Sequence, residues 1–155
     1  MRTMRAQGPS DTRVSGQRKG RRAAGMLRDP VTVFIVDDSA QLADMVAELL
    51  ADPGQVEIAG IADSVAGAIA EIGRLRPDIV VVDLQLKDGN GFEVAEAITA
   101  WTDAAPIEVI FFTNHASPEF VRRAAALNVR HFLDKSRDHG KLIELVQAKV
   151  VSRTS

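Results

Sequence analysis

The chain has 155 residues, no cysteine, 46% hydrophobic residues and a formal net charge of −2 at pH 7. This length suits a single domain with a buried core. The absence of cysteine excludes disulfide bonds, thiolate metal ligands and a cysteine nucleophile, and the apolar runs are shorter than the roughly 20 residues that span a bilayer.

Positive charge is concentrated at the amino end of the chain. Residues 1–29 contain eight Arg or Lys and two Asp, a net charge of +6, whereas the remainder contains 11 basic and 19 acidic residues, a net charge of −8. The segment is rich in Gly, Ser and Arg, so it is predicted to be a disordered basic tail. Such a tail can contact nucleic acid or acidic lipid through charge. The alternatives are a solvated tail, or translation that starts at Met26.

The first predicted strand is the apolar, β-branched run Val31–Val36, which ends directly at Asp37 and Asp38. A short apolar run before a polar turn is typical of a buried parallel strand. One of the two aspartates has a simple explanation, because Asp38 can cap the next helix together with Gln41. That helix is predicted over 39–51, where four apolar residues recur at helical spacing: Leu42, Met45, Val46 and Leu49.

Strands and helices continue to alternate along the rest of the chain. Strands are predicted at 56–62, 79–82, 107–112 and 132–133, and helices between Ser64 and Pro77 and at 91–101, 117–128 and 138–151. Five strands in strict alternation with five helices predict an α/β fold with a doubly wound parallel sheet.

Polar side chains are predicted to meet at the carboxyl edge of this sheet, where open α/β sheets bind ligands. They follow four of the strands: Asp37, Asp38, Asp83, Thr113 and Lys135. Clustered carboxylates bind hard cations such as Mg²⁺, and the backbone carbonyl of Gln85 can add a ligand. A hydroxyl and an ammonium bind anionic oxygens, and a carboxylate can act as a nucleophile that forms an aspartyl phosphate. The set therefore suits phosphoryl transfer.

Each of these residues also has an ordinary structural explanation. An aspartate at a strand end is often a helix cap or a surface acid. Thr113 can cap the following helix, and Lys135 can be a solvated lysine. The hypothesis therefore depends on the combination of residues and not on any one of them.

Four motifs occur in a characteristic order: VDDS at 36–39, VVDLQLKDGNGFEV at 81–94, FFTNHAS at 111–117 and FLDKS at 132–136. Together with the helix lengths between them, they resemble the receiver domain of bacterial two-component response regulators over residues 30–152. The resemblance implies a flavodoxin-like (βα)5 three-layer sandwich with strand order 2-1-3-4-5. It also implies a stand-alone, cytoplasmic signalling protein without an output domain, which accepts a phosphoryl group and is not an enzyme with a separate substrate.

The resemblance assigns roles to the metal and phosphoryl residues. Asp83 would be the phosphoacceptor, and Mg²⁺ or Mn²⁺ would be held by Asp37, Asp38, Asp83 and the Gln85 carbonyl. Thr113 and Lys135 would bind the phosphoryl group.

The resemblance also assigns a switch and a pair of tuning residues. Phe132 would be the switch aromatic, although a core phenylalanine explains it equally well. Gln85 and His115 occupy positions that resemble those tuning the phosphoryl lifetime, and His115 is otherwise an exposed loop histidine. Ser136 stands where the family often has a proline in a cis bond, which leaves the geometry of the preceding peptide open.

The implied partners are a sensor histidine kinase or a histidine phosphotransfer protein, and a downstream protein bound by the face of helix 4, strand 5 and helix 5. No sequence-specific nucleic acid partner and no membrane span are expected. Two alternatives remain. One is an Mg²⁺-dependent phosphatase that forms an aspartyl phosphate with a separate substrate, and the other is a receiver-like interaction module that is never phosphorylated.

Overall fold

The structure, a computed structural model, describes residues 29–103 and 105–154. The predicted disordered tail, apart from Asp29, lies outside the described residues. Among the helices that are described, none combines the length and the apolar content needed to cross a membrane.

Five parallel strands form the main sheet. They are β1 (Val31–Val36), β2 (Val56–Ala62), β3 (Ile79–Val82), β4 (Glu108–Thr113) and β5 (His131–Asp134). Their order in the sheet is β2-β1-β3-β4-β5, so the chain reverses direction across the sheet at β1. This confirms the predicted doubly wound fold and its 2-1-3-4-5 strand order.

Within the described residues, five helices connect and cover the strands. They are α1 (Ala40–Leu50), α2 (Val65–Leu75), α3 (Gly91–Ala100), α4 (Pro118–Ala126) and α5 (His139–Thr154). The first four begin at side-chain caps, which satisfy backbone N–H groups of the first turn: Ser39, Ser64, Asn90 and Ser117. The explanation of Asp38 as the cap of α1 is wrong, because the hydroxyl of Ser39 accepts from the N–H of Leu42.

Two apolar cores lie on the two faces of the sheet. Successive side chains of β1 alternate between them, as the pleat of a strand requires: Phe34 packs with α2, α3 and α4, whereas Val33 and Ile35 pack with α1 and α5. Because both faces of β1 are buried, its sequence is continuously apolar.

Three apolar residues at helical spacing do not join either core. Met45 and Leu49 on α1 are 42% and 36% exposed, and Val121 on α4 is 44% exposed. The apolar stripe of α1 is therefore wider than the surface that the sheet covers.

A short antiparallel hairpin follows β3 and was not anticipated from the sequence. Gln85–Leu86 pairs with Gly89–Asn90, and the Asp88 carboxylate accepts from the N–H groups of Val65 and Ala66 at the start of α2. These backbone hydrogen bonds lower the pKa of Asp88. These hydrogen bonds hold the hairpin against the start of α2. The second strand of the hairpin ends at Asn90, and α3 begins at the next residue.

Gly91 is required where α3 begins. A Cβ at this position would overlap with the carbonyl oxygen of Asp83, so we expect Gly91→Ala to lower the free energy of unfolding by roughly 1–3 kcal/mol. Urea unfolding measures the change.

Gly140→Ala is the matched control, since a Cβ there meets nothing within 4 Å. Alanine is favoured over glycine inside a helix by up to about 1 kcal/mol, so this variant should be as stable as the wild type or more so. Equal effects of the two substitutions would contradict the steric explanation.

Candidate functional site

The carboxyl ends of β1 and β3 bring three aspartates together. One carboxylate oxygen each from Asp37, Asp38 and Asp83 lies within 4.8 Å of the others. Asp37 and Asp83 are buried, with 4% and 7% exposure, while Asp38 is exposed. We refer to these three residues as the carboxylate cluster. The cluster combines two buried ligands with one that solvent can reach.

Lys135 at the end of β5 joins the two buried carboxylates. Its Nζ donates to Asp37 Oδ2 at 2.6 Å and to Asp83 Oδ2 at 2.8 Å. Lys135 is itself only 9% exposed, so the alternative of a solvated lysine is wrong. One ammonium faces three carboxylates, which leaves the edge with an excess of negative charge.

Burial and the neighbouring charges have opposite effects on the pKa values of Asp37 and Lys135. Burial raises the pKa of Asp37, and the hydrogen bonds from Lys135 and from the N–H of Ser39 only partly offset this. Burial alone would lower the pKa of Lys135, but its hydrogen bonds to Asp37 and Asp83 outweigh burial and raise the pKa. Lys135 therefore remains a cation at neutral pH.

The residues present fit a hard divalent cation. Asp83 Oδ1 is buried and has no hydrogen-bond partner within the part of the chain that the structure describes. An unsatisfied buried acceptor costs roughly 1–3 kcal/mol. A cation that prefers oxygen ligands would satisfy this atom and offset the excess of carboxylate charge.

Thr113 ends β4 and is fully buried. Its hydroxyl accepts from the N–H of His115 at 3.2 Å, and its carbonyl accepts from the N–H of Lys135 at 3.0 Å. Thr113 does not cap α4, because Ser117 does. The hydroxyl therefore lies at the carboxyl edge, one strand away from Asp83.

Gln85 and His115 contact each other across this edge. His115 Nε2 and Gln85 Oε1 are 2.8 Å apart, although both residues are exposed. Sequence reasoning identified the two positions but not this contact, which exists only because the hairpin turns Gln85 toward the loop after β4. The contact therefore joins the segment after β3 to the loop after β4 at the carboxyl edge.

The segment after Lys135 is held by local polar contacts. The Lys135–Ser136 peptide is trans, as are all peptide bonds among the described residues. The side chain and N–H of Ser136 donate to the Asp134 carboxylate, and these hydrogen bonds lower the pKa of Asp134. A serine therefore fits at this position, where the family often has a proline.

Phe132 lies away from the carboxylate cluster. It is half-buried, and its ring packs against Phe111 with centroids 5.6 Å apart. It also lines a surface cavity of about 470 Å³ together with Val121, Arg122 and Arg137. The cavity therefore lies directly beside Phe132.

Comparisons with known proteins agree with this geometry. The profile of the response regulator receiver domain matches residues 33–147. The chain is 32% identical over 115 residues to the sensory transduction protein LytT of Bacillus cereus, a match that covers 74% of this chain and 45% of that protein. It is 29% identical over 129 residues to a protein-glutamate methylesterase/protein-glutamine glutaminase of Koribacter versatilis, covering 83% of this chain and 35% of the relative. The chain thus spans less than half the length of these curated relatives.

A solved structure is similar over most of the chain. The signal receiver domain of a DNA-binding response regulator from Colwellia psychrerythraea superposes with a TM-score of 0.70 and 25% sequence identity. The match covers 77% of this chain and 97% of the solved one. Nearly the whole of that receiver domain is therefore represented here.

The carboxylate cluster generates a prediction about divalent cations. Mg²⁺ that binds only the folded protein stabilises it by about 2.7 kcal/mol at 100 times the Kd. We therefore expect MgCl₂ to raise Tm in a thermal unfolding experiment, relative to NaCl of equal ionic strength.

Asp38→Asn should reduce this Mg²⁺-dependent shift, because it removes one ligand charge without disturbing the contacts of Lys135. Asp44→Asn, an exposed aspartate on α1, is the matched control and should keep the full shift. An identical response of both variants would rule out the carboxylate cluster as the cation site.

Proposed function

We propose that this chain, which belongs to the response regulator receiver domain family, accepts a phosphoryl group on Asp83 from a sensor histidine kinase or a histidine phosphotransfer protein. Residues 30–152 would form the receiver unit. The observation that carries the proposal is the buried Lys135 ammonium, hydrogen-bonded to Asp37 and Asp83, beside an Asp83 oxygen without a partner among the described residues.

The reaction uses one oxygen of the Asp83 carboxylate as the nucleophile. That oxygen forms a bond to phosphorus as the bond between phosphorus and the donor's histidine nitrogen breaks, and the nitrogen keeps the bonding electrons. A bound Mg²⁺, held by the carboxylate cluster and the Gln85 carbonyl, would neutralise charge on the transferred group. Lys135 and the Thr113 hydroxyl would then hold the phosphoryl oxygens.

Positioning accounts for most of the catalysis expected here. Phosphoryl transfer depends on alignment and on charge neutralisation more than on covalent assistance from the protein. Lys135 is preorganised for this role, because its raised pKa keeps it charged and its two hydrogen bonds fix its position.

Signalling would follow from a shift between two conformations. Phosphorylation adds roughly −1.5 to −2 charge at a point where Lys135 now bridges Asp37 and Asp83. Lys135 and Thr113 would move to the phosphoryl group, and Phe132 would turn inward beside Phe111. The surface of α4, β5 and α5 would change, and a downstream protein that prefers one of the two surfaces would detect it.

Asp83 is the residue that tests the proposal. Incubation with acetyl phosphate and Mg²⁺ should add one phosphoryl group to the wild type, measured as intact mass. Asp83→Asn should show no such gain, because the amide is not a nucleophile of this kind.

Two controls make the result specific. Asp44→Asn should be phosphorylated like the wild type, since Asp44 is an exposed residue on α1. Omission of Mg²⁺ should prevent the mass gain in the wild type. If the folded wild type gained no mass with Mg²⁺ present, the phosphoacceptor proposal would be refuted.

The contact between Gln85 and His115 should control how long the phosphoryl group persists. In the proposed mechanism the pair would hinder the approach of water to Asp83, because both side chains lie at the carboxyl edge that carries Asp83, so we expect Gln85→Ala and His115→Ala each to speed loss of the phosphoryl group. Decay of the phosphorylated mass after removal of acetyl phosphate measures the rate.

The double variant decides whether the two residues act together. The effects of substituting two residues in direct contact do not simply add. The phosphorylated Gln85→Ala/His115→Ala variant should therefore lose its phosphoryl group at a rate within about twofold of the faster single variant. If the rate increase of the double variant equalled the product of the two single increases, the two residues would act independently of their contact.

A further inference from the structure

The acidic charge of the domain lies in one part of the sequence. Residues 30–73, from β1 to α2, contain eight Asp or Glu and no Lys, Arg or His, whereas residues 74–155 contain 11 basic and 11 acidic residues. The net negative charge of residues 30–155 therefore arises entirely from residues 30–73. The basic segment 1–29, with its net charge of +6, is directly connected to this acidic stretch.

The outer side of α1 is both acidic and apolar. It consists of Asp44, Met45, Glu48 and Leu49, all exposed; we call these four residues the α1 face. Met45 and Leu49 are spaced four residues apart and therefore lie on the same side of the helix. Within the described ranges, no ion pair involves Asp44 or Glu48.

Glu48 is unfavourably placed for an unpartnered acid. It lies in the last turn of α1, which has no basic residue, and the carbonyl groups at a helix C-terminus carry partial negative charge. A cation at this end of α1 would stabilise both the helix terminus and Glu48. The exposed apolar pair indicates that the partner also has apolar side chains.

The basic segment joins the domain close to this end of α1. The helix runs away from the carboxyl edge of the sheet and ends at Leu50, before the turn that leads into β2. In that turn Gln55 accepts from the N–H of Val31 at 2.8 Å. Arg153 at the end of α5 also holds this part of the chain, because its guanidinium donates to the carbonyls of Asp29 and Pro30. Asp29, the first described residue, is therefore held beside the C-terminal end of α1.

We propose that residues 18–28 of the same chain dock on the α1 face. This segment contains four consecutive or nearly consecutive bases and an apolar pair: Arg18, Lys19, Arg21, Arg22, Met26 and Leu27. Its bases complement Asp44 and Glu48, and its apolar pair complements Met45 and Leu49. The match is therefore both electrostatic and apolar.

The length of the segment permits this contact. Eleven extended residues reach at most about 36–40 Å, whereas the 11 residues of α1 span about 16 Å. A direct covalent connection also gives a roughly millimolar effective concentration, so weak individual contacts suffice. A second copy of the α1 face is a poor alternative, because two acidic faces repel each other.

A spin-label experiment on the full chain tests the proposal. The protein has no cysteine, so Ser15→Cys provides a single attachment site for a nitroxide just before the docking segment. In the ¹⁵N-labelled chain, we expect selective loss of amide signals in α1 and not in α3 or α4. The signals should recover at high salt, because the screening length falls from about 10 Å at 0.1 M to about 3 Å at 1 M.

Charge-reversal variants test whether the docking segment binds the α1 face specifically or is attracted to negative charge anywhere on the domain. In the spin-labelled chain, Asp44→Lys/Glu48→Lys should restore the α1 signals. Glu96→Lys/Glu119→Lys is the matched control, because it makes the same change of net charge with exposed residues of α3 and α4. It should leave the signal loss in α1 intact.

Three outcomes would overturn the proposal. The first is signal loss that is absent or spread evenly over the domain, and the second is an equal effect of the two double variants. The third is signal loss when a ¹⁵N-labelled chain without the nitroxide is mixed with a spin-labelled chain without ¹⁵N, which would assign the docking segment to a second copy. None of these outcomes depends on phosphorylation of Asp83.

Discussion

The hydrogen bonds from Lys135 to Asp37 and Asp83 are the contacts on which the site depends. They place one buried cation between two buried anions, and loss of one member of a buried ion pair costs roughly 3–5 kcal/mol. The three residues follow β5, β1 and β3, so their meeting requires the ends of three strands to stay in register. The rigidity of the sheet is therefore a condition for the chemistry at its edge.

Strands β4 and β5 connect the site to the surface beside α4. Phe111 and Phe132 are partners in the register of β4 and β5, and Thr113 pairs with Asp134 two residues further on. Phe132 packs on Phe111 and borders the cavity beside α4. In the proposed mechanism, a movement of Thr113 or Lys135 would reach that surface through these two paired strands.

Charge is arranged differently at the site and on the outside of the domain. At the carboxyl edge, three carboxylates share one lysine, which favours a divalent cation and an anionic ligand together. On α1, exposed acids stand beside exposed apolar residues, and the basic amino-terminal segment joins the chain nearby. The exposed acids of α1 and two of the three carboxylates of the site, Asp37 and Asp38, lie within residues 30–73, which contain no basic residue.

Local patterns of apolar spacing and capping were enough to predict the fold class, the five strands and helices, and the five polar residues at the strand ends. The packed structure was needed to show that Ser39 and not Asp38 caps α1, that Met45 and Leu49 remain exposed, and that His115 contacts Gln85. It was also needed to show the hydrogen bond from Lys135 to Asp37, which is 98 residues away. Such contacts depend on how the sheet and the hairpin after β3 bring distant segments together, and a local sequence pattern does not predict this arrangement.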